Sequence, residues 1–272
     1  MSTFTSTTDK ILVSLENRVA TVTLNRPEAR NALSPELSAG LRAAIQWAGE
    51  DDEVGALMLT GAGSAFCSGG DVKAMGRRSD SGTPTTVERQ FRDLQVRHHG
   101  IGGALYAMRK PTIAALPGPA AGAGLALALA CDIRIGADNA LLTTGYAAIG
   151  LSGDYGIAWL LTRVVGPSKA RQLMLTSERL QAVQALDIGL LNEVVSAETL
   201  QPRATEYAAR LAQGPTVAYS YIKDNLDEAL SVNHATAIDR EADRLLKART
   251  TQDHKEAVRA FAEKRSPQFT GN

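Results

Sequence analysis

The sequence predicts an α/β core followed by a helical C-terminal region, and three observations carry that prediction. Two glycine-rich turns, Phe66-Cys67-Ser68-Gly69-Gly70-Asp71 and Gly122-Ala123-Gly124, each sit where a buried apolar strand gives way to a helix. Such strand–turn–helix repeats imply parallel strands with right-handed crossovers. From about Pro167 onward strand patterns all but disappear and apolar residues recur at helical spacing.

The elements follow in order. Ile11-Leu12-Val13 and Val19 to Leu24 read as an antiparallel pair joined at Glu16-Asn17-Arg18. Asn25-Arg26-Pro27-Glu28 breaks the pattern. Ser34 with Pro35 marks a helix start, a capping hydroxyl followed by proline at the first helical position, and the helix runs to about Gly49. Val54 to Thr60 is a continuous apolar run, the signature of a strand buried on both faces. Asp71 to Pro84 is charged and aperiodic, and reads as a mobile loop. A helix is expected over Thr86 to Met108, a strand over Thr112 to Leu116, a small-residue helix over Ala120 to Ala130 and a strand at Ile133-Arg134-Ile135. Helical runs then cover Ala170–Leu175, Ala182–Leu190, Leu200–Ala212, Val217–Leu230, Ala235–Leu246 and Ala257–Phe261. The expected division is a core over 1–198 and a helical region over 199–272, whose helices bury poorly alone and so suit docking onto another subunit.

Composition narrows the function classes. The 272 residues carry 29 Lys+Arg and 29 Asp+Glu, a balance without the basic footprint of a DNA- or RNA-binding protein. Met1 to Lys10 is polar and lacks a basic-then-apolar leader pattern, and the longest apolar stretch, Ala120 to Ala130, is too short to span a bilayer. Cys67 and Cys131 make no metal-ligand spacing and no disulfide framework. The expectation is a cytoplasmic protein with no metal, no membrane partner and no nucleic-acid partner.

A glycine-rich turn at a helix start presents free backbone N–H groups at the positive end of the helix. Two such turns could converge on one oxygen and stabilise an enolate or oxyanion. Taken alone, Gly122-Ala123-Gly124 is equally consistent with close helix–strand packing. A dinucleotide site is disfavoured because the glycine spacing is wrong and no acidic residue stands at a strand end roughly 20 residues on. The first turn lacks the Gly-Lys-Ser/Thr of a phosphate loop.

Further motifs join these turns. They are Asn25-Arg26-Pro27 with Asn31-Ala32-Leu33, Lys110-Pro111-Thr112-Ile113-Ala114-Ala115 leading to Gly118, Cys131-Asp132-Ile133, Gly150-Leu151, and Gly189-Leu190-Leu191-Asn192-Glu193-Val194-Val195. In this order and spacing, over nearly the whole chain, the sequence resembles the enoyl-CoA hydratase/isomerase (crotonase) superfamily. The resemblance implies a spiral of ββα turns, a C-terminal helical trimerisation region, a homotrimer or hexamer, and a coenzyme A thioester as substrate with no separate cofactor.

The resemblance also assigns residues. It gives the oxyanion N–H groups to Ser68 and Ala123, each worth roughly 3–4 kcal/mol of transition-state stabilisation. Family hydratases place two glutamates where this chain has Ala126 and Tyr146, so a standard hydration, which needs a base for water and a proton donor for carbon, lacks its usual groups. Asp154 remains. In similar family members an aspartate here moves protons in double-bond isomerases, or attacks an aromatic ring in 4-chlorobenzoyl-CoA dehalogenase, which carries Trp at the Tyr146 position. The plain alternative for Asp154 is a helix cap, and for Tyr146 a residue lining the acyl pocket. For coenzyme A the resemblance points to backbone around Ala29-Arg30 and Ala65, and to Phe261 and Lys264 reaching from a neighbouring subunit. Cys67 reads as packing, and His98-His99 as exposed polar residues. The implied reaction is double-bond isomerisation of an enoyl-CoA by Asp154. Hydration, aryl-CoA dehalogenation and non-catalytic acyl-CoA binding stay open.

Overall fold

The computed structural model describes residues 4–71 and 86–272. The first two strands, β1 (Ile11–Glu16) and β2 (Val19–Leu24), pair antiparallel around Asn17 and Arg18, both at positive φ. To β2 the chain adds β3 (Ala56–Gly61), β4 (Thr112–Leu116), β6 (Ile133–Ala137) and β9 (Glu193–Val195), all parallel, in the order β1-β2-β3-β4-β6-β9. A smaller sheet holds β5 (Ala120–Ala121), β7 (Leu141–Thr143) and β8 (Leu180–Gln181). The mixed α/β architecture with a mainly parallel sheet matches the sequence expectation.

Both faces of the large sheet are covered. On β3, Leu57 and Leu59 face one apolar core while Ala56 and Met58 face the other, the period-2 alternation of a strand with no solvent side. Helix α1 (Pro35–Glu50) packs on the first face through Leu37, Leu41, Ala44, Ile45 and Ala48, and Ser34 Oγ caps it by accepting from Leu37 N at 3.1 Å. The expected helix from Thr86 is α2 (Val87–His98), which continues through a π-helical turn, His99–Gly103, into Ala104–Tyr106. The loop expectation over 71–84 falls, beyond Asp71, outside the described residues.

Two expectations are corrected. The small-residue helix begins at Ala123, as α3 (Ala123–Ala130), because Ala120 and Ala121 instead pair with Leu142 and Thr143. Gly122 makes the reversal at φ 53°, ψ −123°, a conformation open to glycine and costly for other residues. The second concerns the helical region. Helix α6 (Leu200–Ala212) lies against the sheet and supplies Leu200, Ala204, Ala208 and Ala212 to the second core, so this helix of the C-terminal region is buried within the chain itself, without a second subunit. Its alanine stripe permits this closeness: a Cβ on Gly55 would stand 2.2 Å from Ala212 O.

After α6 come α7 (Thr216–Ala229), α8 (His234–Arg249) and α9 (Gln252–Ala262). Polar contacts anchor α7 to the core: Arg109 to Asp224 at 2.8 Å, Lys223 to Asp132 at 2.8 Å, and the Tyr106 hydroxyl donating to Asp227 at 2.7 Å. Ile222, Leu226, Ile238, Leu245 and Leu246 on α7 and α8 remain exposed. No helix among the described residues is long and apolar enough to cross a membrane.

Candidate active site

The first glycine-rich turn is held from two sides. Towards the smaller sheet, Cys67 N–H donates to Pro119 O (3.2 Å), and Cys67 O accepts from Ala121 N–H (2.9 Å). On the other side Ser68 N–H donates to Arg30 O (2.9 Å), and Leu33 N–H donates to Gly69 O (2.8 Å) in a parallel bridge between Leu33 and Gly70. Asn31, fully buried at φ 56°, ties the turn to its neighbours: its amide donates to Ala62 O and Ala65 O, and its carbonyl accepts from Arg26 N–H. Arg26 in turn pairs with Asp71 at 3.3 Å. Thus Asn-Arg-Pro, Asn-Ala-Leu and Gly-Gly-Asp are parts of one assembly.

That bonding corrects the assignment to Ser68. Its N–H is already engaged by Arg30 and cannot serve an oxyanion. In a parallel bridge centred on Leu33, the partner's flanking residues exchange the hydrogen bonds, and the bridged residue itself points the opposite way. Gly70 is that residue, so its N–H faces away from Leu33 and is the donor the turn leaves free.

Ala123 offers a second free N–H. As the first residue of α3 its N–H has no acceptor within the helix. The two turns meet at Gly69, where a Cβ would lie 3.3 Å from Ala123 N and 2.7 Å from Ala121 O. A Cβ on Gly124 would lie 2.2 Å from Cys67 O. Only glycines at these two positions let the turns close on each other.

Asp154 and Tyr146 stand beside them. The Tyr146 hydroxyl, just under 4 Å from where a Gly122 Cβ would be (3.8 Å), donates a short hydrogen bond to Asp154 Oδ1. Burial raises the Asp154 carboxyl above the usual carboxylate range, opposed by the Tyr146 hydrogen bond and then by His98 and Arg97. Burial, with the Asp154 charge beside it, pushes the Tyr146 phenol well above its ordinary value, so it stays a neutral donor. Asp154 also accepts at its backbone carbonyl from Ile157 N–H, at the start of α4 (Ile157–Thr176), which breaks at Gly166-Pro167. No side-chain cap serves that helix. The capping alternative for the Asp154 carboxylate therefore lapses. Ala126, at the position of a family glutamate, is fully buried on α3.

His98 departs from its expected exposure. Its ring stacks on Tyr155 with centroids 4.3 Å apart, and Tyr155 reverses the chain at φ 47° directly after Asp154. Burial lowers the His98 pKa, opposed by the Asp154 charge. His99 is exposed as expected. A π-helical turn follows over His99–Gly103, a local feature often found at functional sites. These contacts join segments more than fifty positions apart, which is why His98, Arg97 and Tyr155 escape a reading of the sequence.

Cys67 is inert: burial pushes its thiol up to about 12, and its Sγ–H donates to Asn31 O at 3.1 Å. Around the same turn the structure gathers Ala29, whose carbonyl accepts from Ser68 Oγ, exposed Arg30, and buried Ala65. Phe261, 88% exposed on α9, and Lys264, two residues past its end, have no hydrogen bond or ion pair to that group within the chain. No cluster of three or more His, Cys, Asp or Glu side chains suited to a metal occurs among the described residues.

Two unengaged backbone N–H groups on adjoining turns, with a half-buried carboxylate near by, are groups of the kind that can hold an enolate oxygen and exchange a proton. The comparisons with known proteins agree with that class. The enoyl-CoA hydratase/isomerase family model matches residues 14–272. A 1,2-epoxyphenylacetyl-CoA isomerase of Escherichia coli K12 is 40% identical over 96% of this chain and 98% of its own. The 4-chlorobenzoyl coenzyme A dehalogenase-2 of an Arthrobacter species is 34% identical over 81% and 79%. The crystal structure of an enoyl-CoA hydratase from Polaromonas sp. JS666 superposes with a TM-score of 0.87 at 33% identity, covering 95% of this chain and 98% of that one. This chain belongs to the enoyl-CoA hydratase/isomerase family and has the crotonase fold.

Proposed function

We propose that the protein isomerises the double bond of an enoyl-CoA, with Asp154 as the single acid/base. The observation that carries this reading is the pairing of Asp154 with Tyr146 beside the two turns, while Ala126 occupies the other family carboxylate position. The thioester oxygen accepts from the N–H groups of Gly70 and Ala123, which acidifies the neighbouring C–H. Asp154 removes the α-proton, the electron pair moves into the dienolate, and the same carboxyl returns a proton at the γ-carbon. Its raised pKa brings the carboxylate closer to the range of an effective base. Ala29, Arg30 and Ala65 are assigned to the pantetheine and adenine. Phe261 and Lys264 are assigned to the coenzyme A of a neighbouring subunit, with the exposed apolar faces of α7 and α8 as the contact in a trimer or hexamer.

Incubation with 3-enoyl-CoA and 2-enoyl-CoA in D₂O, read by mass spectrometry, tests the reaction. The expected result is conversion of the 3-enoyl ester to the 2-enoyl ester with deuterium gain and no added water. Asp154→Asn should reduce that turnover about 10³-fold while acyl-CoA binding persists. A mass gain of one water would make the protein a hydratase, and turnover surviving Asp154→Asn would remove the aspartate from the mechanism. A second reading rests on the Arthrobacter relative and on the fixed orientation of the Asp154 carboxylate. In it Asp154 attacks an aromatic ring, and chloride release from 4-chlorobenzoyl-CoA would select it.

A further inference from the structure

We propose that the pocket between α1 and α2 receives a carboxylate at the far end of the acyl group, so that the substrate is an enoyl-CoA whose acyl chain ends in an acid. This rests on the reading above and names its substrate class. The pocket, about 250 Å³, is lined by Ser38, Arg42, Asp93, Arg97 and Ile101 among others. That is several times the volume of one water, about 30 Å³.

Its wall holds a polar atom that the chain leaves unserved. Arg97 Nε is buried and has no acceptor; Ser38, 4% exposed, has only a looser side-chain contact of its Oγ with Tyr155. A buried donor without an acceptor costs about 1–3 kcal/mol, so the unpartnered Arg97 Nε in this pocket points to an acceptor supplied from outside the chain. The charges agree in sign: two arginines face one aspartate, and no ion pair joins them in the structure. Arginine also offers the planar fork that binds a carboxylate through two oxygens.

The pocket adjoins the reacting carboxylate. Arg97 and its neighbour His98 both act electrostatically on Asp154. Tyr155, directly after Asp154, packs its ring on His98, and a Cβ on Gly102 would stand 3.2 Å from that ring's Cδ1. Tyr155 lies beside Ser38 as well. An acyl chain held by its thioester at the two turns and passing Asp154 therefore runs towards Arg97.

The test compares 3-hexenoyl-CoA with the monothioester of 3-hexenedioic acid, which differs only in its terminal carboxylate. Wild-type kcat/KM should favour the acid-ended ester about tenfold or more, the size of one charge-assisted hydrogen bond. Arg97→Met should collapse that ratio and Arg97→Lys should keep part of it. A wild-type ratio of one or below, or a ratio unchanged in Arg97→Met, overturns the proposal. Should Arg97→Met fold poorly by circular dichroism, Ser38→Ala reads the same ratio, with a smaller fall expected. If neither ester reacts, the isomerase reading fails by itself, and calorimetric titration of hexanoyl-CoA against adipoyl-CoA then decides the subsite. Tighter adipoyl-CoA binding that is lost in Arg97→Met supports it, and equal binding overturns it. Inorganic phosphate that binds the wild type but not Arg97→Met, with no acyl preference, would assign the pocket to a free anion and overturn the acyl assignment.

Discussion

The two halves of the site are built from different materials. The two glycine-rich turns offer backbone N–H groups, positioned by bonds to Arg30 and Leu33 and by the start of α3. The wall opposite uses side chains, Asp154, Tyr146 and His98, brought together from three separate segments. Backbone donors cannot be removed by ordinary substitution, whereas a wall of side chains can change its chemistry one residue at a time. That difference accounts for relatives named as isomerase, hydratase and dehalogenase on one scaffold.

The sharpest way to break the comparison is to remove a backbone donor. Proline is tolerated at the first position of a helix, and Ala123 holds that position in α3. Ala123→Pro deletes the N–H while keeping the helix start. We expect kcat to fall about 10²–10³-fold with the thermal midpoint nearly unchanged, as judged by steady-state kinetics and calorimetry. Full activity in a folded Ala123→Pro protein would show that the oxyanion is stabilised elsewhere.

Legibility in the sequence divides along the same line. The turns could be found because glycine after a buried strand and before a helix is a local pattern. Which N–H they leave free could not, because Ser68 and Gly70 differ only in which side of the strand meets Arg30 and Leu33, residues more than thirty positions away. Strand β3 was legible because an all-apolar run admits only burial on both faces, and α1 because Ser34-Pro35 carries its own start signal. The place of α6 was not: its alanine stripe marks a buried helix face but not the sheet, nor the bare Gly55, that it approaches. On the wall, Asp154 was reached through family resemblance. His98 was missed because its partner, Tyr155, stands more than fifty positions away, and no local pattern announces that contact.

Tyr146→Phe probes the wall. It removes one hydrogen bond to a half-buried carboxylate, so kcat should fall about tenfold. The sign of the pH effect follows from the direction of each contribution. Asp154 must be ionised to take a proton, so activity falls as pH drops through its pKa, which burial already raises. The Tyr146 hydrogen bond lowers that pKa, and losing it moves the acid limb of kcat/KM to higher pH. A limb that stays in place, or moves down, would mean that Tyr146 does not hold the reacting carboxylate.

His98→Gln should give the smallest change and the most informative one. Besides the Tyr146 phenol, the groups that act on Asp154 are His98 and Arg97, both of which lower its pKa. The Asp154 charge in return raises the pKa of Cys67 and of Tyr155. His98 is pulled below its ordinary pKa by burial, so it carries its charge only towards the acid end of the profile. There its positive charge favours ionised Asp154, and the substitution removes that support. The acid limb should therefore move upward, in the same direction as in Tyr146→Phe but by less, with activity at neutral pH changed only a few-fold, within the reach of a weak, partly screened charge pair. Equal shifts in the two variants would give the imidazole as strong a hold on Asp154 as the phenol has. A downward shift would mean that His98 meets Asp154 as a neutral ring whose only role is to exclude water, and the wall would then act through one hydrogen bond alone.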